Sequence, residues 1–213
     1  MKERPILFSA PMVRAILDGR KTQTRRVIEP PPMMVADHAT RPWQGSPEQL
    51  MSLFEQLGRK CPYGRPGDRL WVREAYRTSF QYDHIKPRDL PVARTKSTLA
   101  VPFWYDADLY GDLTPLHPGL GPGKYRPGMF MPRAASRILL EITAMRVERL
   151  QDISPADCIA EGYQSPPGTR YAQEELATLD WYRELWESIN GAGSWQANPW
   201  VWVVEFTRVE VAA

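Results

Sequence analysis

This sequence has few of the residues that build disulfide frameworks and metal centres. Its two cysteines, Cys61 and Cys158, are far apart and form no Cys-x-x-Cys pair. Its three histidines, His38, His84 and His117, are scattered through proline-rich stretches. A zinc site needs a tighter group of His, Cys and acidic side chains. The sequence therefore predicts reduced thiols, no metal centre and no cofactor.

Long apolar segments are also missing. No run of apolar residues is long enough to cross a bilayer, and no secretory signal pattern is present. Hydrophobic residues make up 43% of the chain and charged residues 24%, which is typical of a globular domain. The sequence predicts a cytoplasmic protein without a membrane partner.

Proline, in contrast, is abundant. Its 21 occurrences indicate many loops and few long regular elements. Apolar alternation and helix-stop signals predict a helix that ends at Gly19, together with further helices and strands. The further helices are predicted at 47–57, 154–161 and 173–188, and the strands at 5–8, 22–28, 67–76, 101–105, 138–147 and 199–209.

That order of elements lacks the regular strand–helix alternation of a doubly wound parallel sheet. It predicts an α+β fold, a small mixed β-barrel with helices packed on its outside. The chain is expected to form one domain over 1–213, with long loop insertions at about 29–65 and 77–131.

Charge is distributed unevenly along the chain. Residues 1–26 hold seven Lys or Arg against two acids, and residues 59–77 hold six against two. Residues 141–190 hold four Arg against ten acids. A basic N-terminal part and an acidic C-terminal part of the chain favour an anionic ligand that binds to one face of the protein only.

The densest basic segment is Gly19-Arg-Lys-Thr-Gln-Thr-Arg-Arg26, directly after the first predicted helix. Lys21 is crowded by arginines, and like charges lower the pKa of a lysine. If 19–24 is a loop, Lys21 can approach Thr24 and act as a general base on its hydroxyl. A solvated basic turn with threonine caps explains the same residues without catalysis.

Glu161 is a second candidate. Ser154-Pro-Ala-Asp157 is typical of a helix start and Gly162 of a helix end, which places Glu161 at the negative end of the helix dipole. An acid is disfavoured there, so its presence hints at function. Pairing with an arginine or with water is the alternative.

Three residues of the 67–76 strand region complete the candidate set. Glu74 lies at a strand end, where it can hold a ligand or neutralise an arginine. Trp71 alternates with Leu70 and Val72 as in a half-buried strand, and Trp71 and Tyr76 can stack on a base or pack beneath the 77–131 insertion.

These segments resemble the ASCH domain, a relative of the PUA-like barrels, in the longer form found in bacteria and their prophages. The resemblance is carried by Gly19-Arg-Lys-Thr-x-Thr-x-Arg26, Pro66-Gly-Asp-x-Leu-x-Val-Arg-Glu74, Leu150-x-x-Ile…Glu161 and Trp200-Val-Trp-Val-Val-Glu-Phe206. Small bacterial members of that family are N(4)-acetylcytidine amidohydrolases.

The resemblance implies a hydrolase that removes an acyl group from the exocyclic amine of a modified cytidine. It implies Lys21, Thr24 and Glu161 as the catalytic set, with Arg26 or backbone N–H groups holding the oxyanion. Arg20, Glu74, Trp71 and Tyr76 are candidates for contacts with the substrate. Other ASCH proteins are expected to bind RNA.

The sequence leaves two alternatives to the amidohydrolase open. In a non-catalytic RNA-binding module, the basic segments contact phosphates and an aromatic side chain stacks on a base. In a ribonuclease, Lys21 and Glu161 act on a ribose 2′-hydroxyl. The amidohydrolase requires Lys21 and Glu161 in one place, with either the Thr24 hydroxyl or a water molecule held by it as the attacking group, whereas the RNA module does not.

Overall fold

The structure is a computed structural model that describes residues 1–36, 38–92, 101–109, 121–165 and 171–209, with the last helix's side chains described from 176 onward. Its strands are β1 (Glu3–Leu7), β2 (Gln23–Val27), β3 (Met33–Ala36), β4 (Ala39–Pro42), β5 (Arg69–Arg73), β6 (Tyr76–Thr78), β7 (Phe103–Tyr105), β8 (Leu139–Arg149) and β9 (Trp200–Arg208). Its α-helices are α1 (Ala10–Leu17), α2 (Pro47–Gln56), α3 (Pro155–Ala160) and α4 (Tyr171–Asn190).

Five of these strands form one mixed sheet in the order β1-β5-β8-β9-β2. β1 runs parallel to β5, whereas β5 pairs antiparallel with β8 and β2 pairs antiparallel with β9. The α+β class is therefore confirmed. β1 and β2 are the end strands of this order, and within the described ranges no pairing closes the sheet into a barrel.

Contacts divide the chain into two compact units. The first unit consists of Met1–Gly19, Asp68–Glu141 and Arg208–Ala213, and the second of Arg20–Gly67 and Ile142–Thr207. The predicted insertion at 29–65 belongs to the second unit, where it carries β3, β4 and α2. The insertion at 77–131 belongs to the first unit, and part of it lies outside the described residues.

In the first unit, β5 is buried on both faces. Leu70, Trp71 and Val72 are at most 7% exposed. Trp71 is therefore packed and not free to stack on a base. β1 and β8 pair with the two edges of β5, and side chains cover the face that carries Trp71. The guanidinium carbons of Arg73 and Arg133 lie 4.6 and 5.7 Å from the Trp71 ring centroid.

In the second unit, one face of the β2–β9 pair is covered by α3 and α4. Val201 and Val203 of β9 share this face with Val27 and Arg25 of β2, to which they are directly paired. The core there consists of Leu150, Ile153, Cys158, Tyr182, Trp186, Val201 and Val203. This packing places Arg25 beneath α3.

Helix ends follow the predicted signals closely. α1 stops before Gly19, whose φ is +74°, and α3 starts with a complete capping box between Ser154 and Asp157.

The β3–β4 hairpin was not predicted, and His38 in its turn adopts a φ of +60° without being glycine. Over the described residues, no helix has the length and apolar character needed to cross a membrane.

Candidate active site

The basic segment after Gly19 caps the C-terminal end of α3. Three carbonyl oxygens at this helix end accept one hydrogen bond each from consecutive residues of the segment. The Arg20 guanidinium donates to Gly162 O at 2.9 Å, Lys21 Nζ to Glu161 O at 2.9 Å, and the Thr22 backbone N–H to Ala160 O at 2.8 Å. These carbonyls have no partner within the helix, so the segment satisfies them.

Lys21 and Glu161 form a buried ion pair at this helix end. Lys21 Nζ lies 2.6 Å from Glu161 Oε2, and the two side chains are 0% and 3% exposed. The distance is that of a strong, charge-assisted hydrogen bond. The two residues are 140 positions apart in sequence. An amine and a carboxylate in such contact can exchange a proton.

Arg25 holds the other oxygen of Glu161. Its guanidinium contacts Glu161 Oε1 at 3.3 Å, Glu148 Oε2 at 2.9 Å and Asp157 Oδ2 at 3.2 Å. The Arg25 side chain is itself 0% exposed. The Glu161 carboxylate is therefore fixed between two cations, with one oxygen directed at each.

Arg146 extends the network toward solvent. It contacts Asp157 Oδ1 at 3.0 Å and makes close ion pairs with Glu148 and Glu205. Gln23 Nε2 also donates to Asp157 Oδ1, at 2.9 Å. This ionic network, defined as Lys21, Arg25, Arg146, Glu148, Asp157, Glu161 and Glu205, joins β2, β8, β9 and the α3 end.

Burial and neighbouring charges shift the acid–base behaviour of the site. Burial lowers the pKa of Lys21; Glu161 opposes this shift, and Arg26 and Arg25 add to it. Burial alone raises the pKa of Asp157, but hydrogen bonds from Ser154 and Gln23 and the charge of Arg25 hold it well below its usual range. Burial raises the pKa of the Cys158 thiol to about 12, so this cysteine is not a ready nucleophile.

Thr24 does not join the Lys21–Glu161 pair. It lies within β2, which starts at Gln23, so the loop expected over 19–24 ends before Thr24. Successive strand residues point to opposite faces, which directs Thr24 away from the face of Arg25. Thr24 is 3% exposed, and among the described residues no hydrogen bond joins its hydroxyl to Lys21 or Glu161.

Arg20 and Arg26 have separate positions. Arg20 is engaged in capping Gly162, as described above, and is half-buried. Arg26 lies opposite Trp202 of β9, on the same face of β2 as Thr24. Its charge lowers the pKa of Lys21.

The other three predicted residues belong to the first unit, where each has a packing role. Glu74 is 1% exposed and accepts two hydrogen bonds from Arg137, at 2.9 and 3.0 Å. Burial raises the pKa of Glu74, and Arg137 opposes that shift. Tyr76 is 0% exposed and stacks on Phe103 with 5.3 Å between ring centroids.

Sequence reasoning missed the acidic partners of the basic segment. No sequence motif marks Arg25 as different from the neighbouring cations, and none marks Glu148, Asp157 or Arg146 as part of a site. One signal was present in the sequence, an excess of acids over 141–190 that is opposite in sign and similar in size to the excess of cations over 1–26. Among the residues that the structure describes, no group of three His, Cys, Asp or Glu is arranged to hold a metal ion.

This chain has no match among protein-family models, curated proteins or solved structures. The ASCH resemblance therefore stays a prediction, together with the activity that it implies. The evidence that bears on function is the set of contacts between residues 20–25 and the C-terminal end of α3.

Proposed function

We propose that this chain is an ASCH-type amidohydrolase, with the PUA-like barrel that this family implies, and that it removes an acyl group from N(4)-acylated cytidine. The observation that carries the proposal is the 2.6 Å contact between the buried Lys21 amine and the Glu161 carboxylate. A lysine with a lowered pKa beside a fixed carboxylate is a typical general acid–base pair.

In the proposed reaction, neutral Lys21 takes a proton from a water molecule as the water oxygen bonds to the acyl carbonyl carbon. The carbonyl oxygen becomes an oxyanion, which backbone N–H groups stabilise. Collapse of this intermediate breaks the C–N bond, and the proton passes through Lys21 and Glu161 to the departing exocyclic amine. The products are the free carboxylic acid and cytidine.

Water, and not Thr24, is the attacking group in this proposal. The Thr24 side chain is directed to the sheet face opposite that of Arg25, whereas Lys21 contacts Glu161 on the Arg25 side. A direct attack by Thr24 would require the strand start at Gln23 to rearrange. The hydroxyl is therefore given no part in bond formation.

Access to the amine is a condition of the reaction. The Lys21 side chain is 0% exposed, so substrate binding must uncover Nζ before the amine can reach a water beside the acyl group. Closed sites of this kind exclude bulk water and strengthen the electrostatic interactions inside them. The substrate that fits this condition is a small one, such as a free nucleoside.

The burial of the basic and aromatic candidate residues weakens the RNA-binding alternative. Lys21 and Arg25 are buried and paired with carboxylates, so they are not available to phosphates. Trp71 and Tyr76 are also buried, at 7% and 0% exposure, which leaves neither ring free to stack on a base. Lys21 and Arg25, two of the residues that suggested a phosphate-binding surface, instead lie in the interior of the ionic network.

Hydrolysis of N(4)-acetylcytidine by the purified protein tests the proposal. Lys21→Arg keeps a cation but cannot release its proton at ordinary pH, so kcat/KM is expected to fall by about 100-fold or more. Glu161→Gln is expected to lower it to a similar extent, and Thr24→Val to retain activity.

Lys60, which is exposed, provides the matched control. Lys60→Ala should leave the rate unchanged. Full turnover in a folded Lys21→Arg protein would overturn the proposal, as would the absence of activity in the wild type.

The pH profile gives a second, independent prediction. Because the neutral amine is the base, kcat/KM should rise with pH through a pKa below the ordinary 10.5 of lysine. Glu161 raises the pKa of Lys21 and Arg25 lowers it. Residual activity in Glu161→Gln should therefore rise at lower pH than in the wild type, and in Arg25→Gln at higher pH.

These opposite shifts separate a reacting lysine from a structural one. They can be measured from rates between pH 5 and pH 10 or from the titration of labelled lysine side chains. Identical midpoints in the three proteins would rule out Lys21 as the group that titrates.

A further inference from the structure

Four side chains of the first unit are at most 3% exposed, and yet each has a polar atom without a hydrogen-bond partner within the described residues. These atoms are Tyr76 Oη, Thr78 Oγ1, Ser79 Oγ and Arg126 Nε. Leaving a buried polar group without a partner is costly, so native proteins contain few such groups. Four of them in one short region of the chain require an explanation.

Backbone pairing brings these groups together. Tyr76 and Thr78 are alternate residues of β6, so their side chains share one face of the strand. Arg126 exchanges two backbone hydrogen bonds with Tyr76, of 3.0 and 2.9 Å. Residues paired in this way have side chains on the same face. Ser79 follows Thr78 directly, and the four residues are called the donor cluster below.

The Arg126 guanidinium is anchored on the turn that follows β6. Its two terminal nitrogens donate to Tyr82 O at 2.7 Å and to Ile85 O at 3.0 Å. The Tyr82 backbone N–H in turn donates to Ser79 O at 2.9 Å. The guanidinium is therefore held at the turn that begins at Ser79. Fixing a donor in advance reduces the entropy lost when a ligand binds.

Arg126 is also a buried cation without an acidic partner. Over the described ranges, its hydrogen bonds go to carbonyl oxygens, and no carboxylate forms an ion pair with it. Asp83, in the same turn, instead accepts a hydrogen bond from the Lys124 backbone N–H at 2.9 Å. Buried charges in proteins are normally paired. The donor cluster therefore has a positive charge that nothing on the described chain neutralises at contact distance.

The chemistry of the donor cluster selects its ligand. A guanidinium N–H can only donate a hydrogen bond, and each of the three hydroxyls can donate one. Several donors around one positive charge complement an anion. A single guanidinium neutralises one negative charge, and a divalent anion would bring a second, uncompensated charge into the core. The ligand that fits is therefore monovalent.

The ligand must also be small. Tyr76 stacks on Phe103 with 5.3 Å between ring centroids, and Met131 and Leu90 belong to the same buried cluster. Closely packed side chains leave no room for a large polyatomic group. We propose that the donor cluster is a binding site for chloride or a similar small monovalent anion.

This site goes beyond the proposed amidohydrolase activity. The donor cluster belongs to the first unit, whereas Lys21 and Glu161 belong to the second. An anion that binds only the folded chain stabilises it by mass action. Its binding is therefore measured through stability and does not depend on acylcytidine hydrolysis.

Thermal melting in sodium chloride and in sodium gluconate of equal ionic strength tests the proposal in the full chain. Gluconate carries the same charge as chloride but is too large for a buried site. At chloride concentrations far above its Kd, the Tm is expected to exceed that in gluconate by about 5 °C. The increase should saturate with chloride concentration, as binding to one site does.

Tyr76→Phe should reverse its effect between the two salts. In gluconate it should melt at the wild-type temperature or higher, because it removes an unpartnered hydroxyl. In chloride it should melt at a lower temperature than the wild type, because it removes a donor to the anion. Thr78→Val should show the same reversal.

Tyr105→Phe is the matched control. The Tyr105 hydroxyl donates to Ala135 O at 2.8 Å, within the same unit. Its loss should lower the Tm to the same extent in both salts. General effects of the two salts act on all of these proteins alike, so they cancel when each variant is compared with the wild type.

Crystals soaked in bromide locate the anion directly, because bromide replaces chloride and scatters anomalously. The expected result is an anomalous peak beside Arg126 Nε. Ordered water molecules alone at the donor cluster would overturn the proposal, because water can also satisfy buried donors. A Tyr76→Phe protein whose Tm differs from that of the wild type by the same amount in chloride and gluconate would overturn it as well.

Discussion

Replacing Arg25 with methionine is expected to lower the free energy of unfolding by about 3–5 kcal/mol. The Arg25 side chain is 0% exposed and contacts three carboxylates, those of Glu148, Asp157 and Glu161, at 2.9 to 3.3 Å. Methionine fills a similar volume but leaves these acids with less compensating charge. Breaking a buried ion pair costs more than the pair contributes, because the remaining charge has lost its solvent.

Urea unfolding of the wild type and three variants measures this effect. Arg183→Met is the matched control, since Arg183 pairs with Asp180 at the surface, with side chains 46% and 64% exposed. Such a pair is worth about 0–1 kcal/mol. The double variant Arg25→Met/Glu161→Gln should recover part of the loss, because it removes one of the uncompensated charges. Equal stability of the Arg25 and Arg183 variants would contradict the role assigned to the ionic network.

Replacing Arg137 with methionine is expected to destabilise the protein by about 3 kcal/mol near pH 7.5. Arg137 donates two hydrogen bonds to Glu74, which is 1% exposed, and two to Asp108, at 2.6 and 2.9 Å. Its guanidinium also lies 4.0 Å from the Tyr105 ring centroid. Without Arg137, the Glu74 carboxylate has lost the cation that offsets its burial.

The effect of Arg137→Met should depend on pH in a defined direction. Burial raises the pKa of Glu74 above its ordinary 4.5, and Arg137 opposes that rise. Removing Arg137 raises the pKa further, and a group with a raised folded-state pKa loses its stabilising contribution as the pH increases. The cost of the substitution should therefore be greatest at neutral pH and smaller near pH 4.

Thermal melts from pH 4 to pH 8 test this direction. Arg133→Met is the control, because Arg133 pairs with Glu3 in the same unit while both side chains are about 40% exposed. The double variant Arg137→Met/Glu74→Gln should show little of the pH dependence. A cost for Arg137→Met that grows toward acid pH would show that the sign assigned to Glu74 is wrong.

Helix ends were predictable because their signals lie within a few residues of each other. The capping box of Ser154 and Asp157 and the left-handed Gly162 define α3 from short-range chemistry, and Gly19 does the same for the end of α1. The β3–β4 hairpin was missed because its turn contains His38 in place of the glycine or asparagine that marks such turns.

For Trp71 the sequence left two alternatives open, stacking on a base or packing. Alternation identifies the two faces of a strand, but it does not tell whether one face or both will be covered. Trp71 is buried, and the guanidinium groups of Arg73 and Arg133 lie over its ring. Arg133 is distant from Trp71 in sequence, so no local pattern could indicate this contact.

The sequence by itself determined the α+β class, the basic segment after Gly19 and the acid at the end of α3. Only the tertiary structure decided that Lys21 contacts Glu161 across 140 residues, and that Arg25, not Thr24, completes this arrangement. Alternation places Arg25 and Thr24 on opposite faces of β2, and strand register decides that the face of Arg25 is the one beneath α3. Register is fixed by pairing with β9 near the end of the chain, beyond the reach of any local pattern.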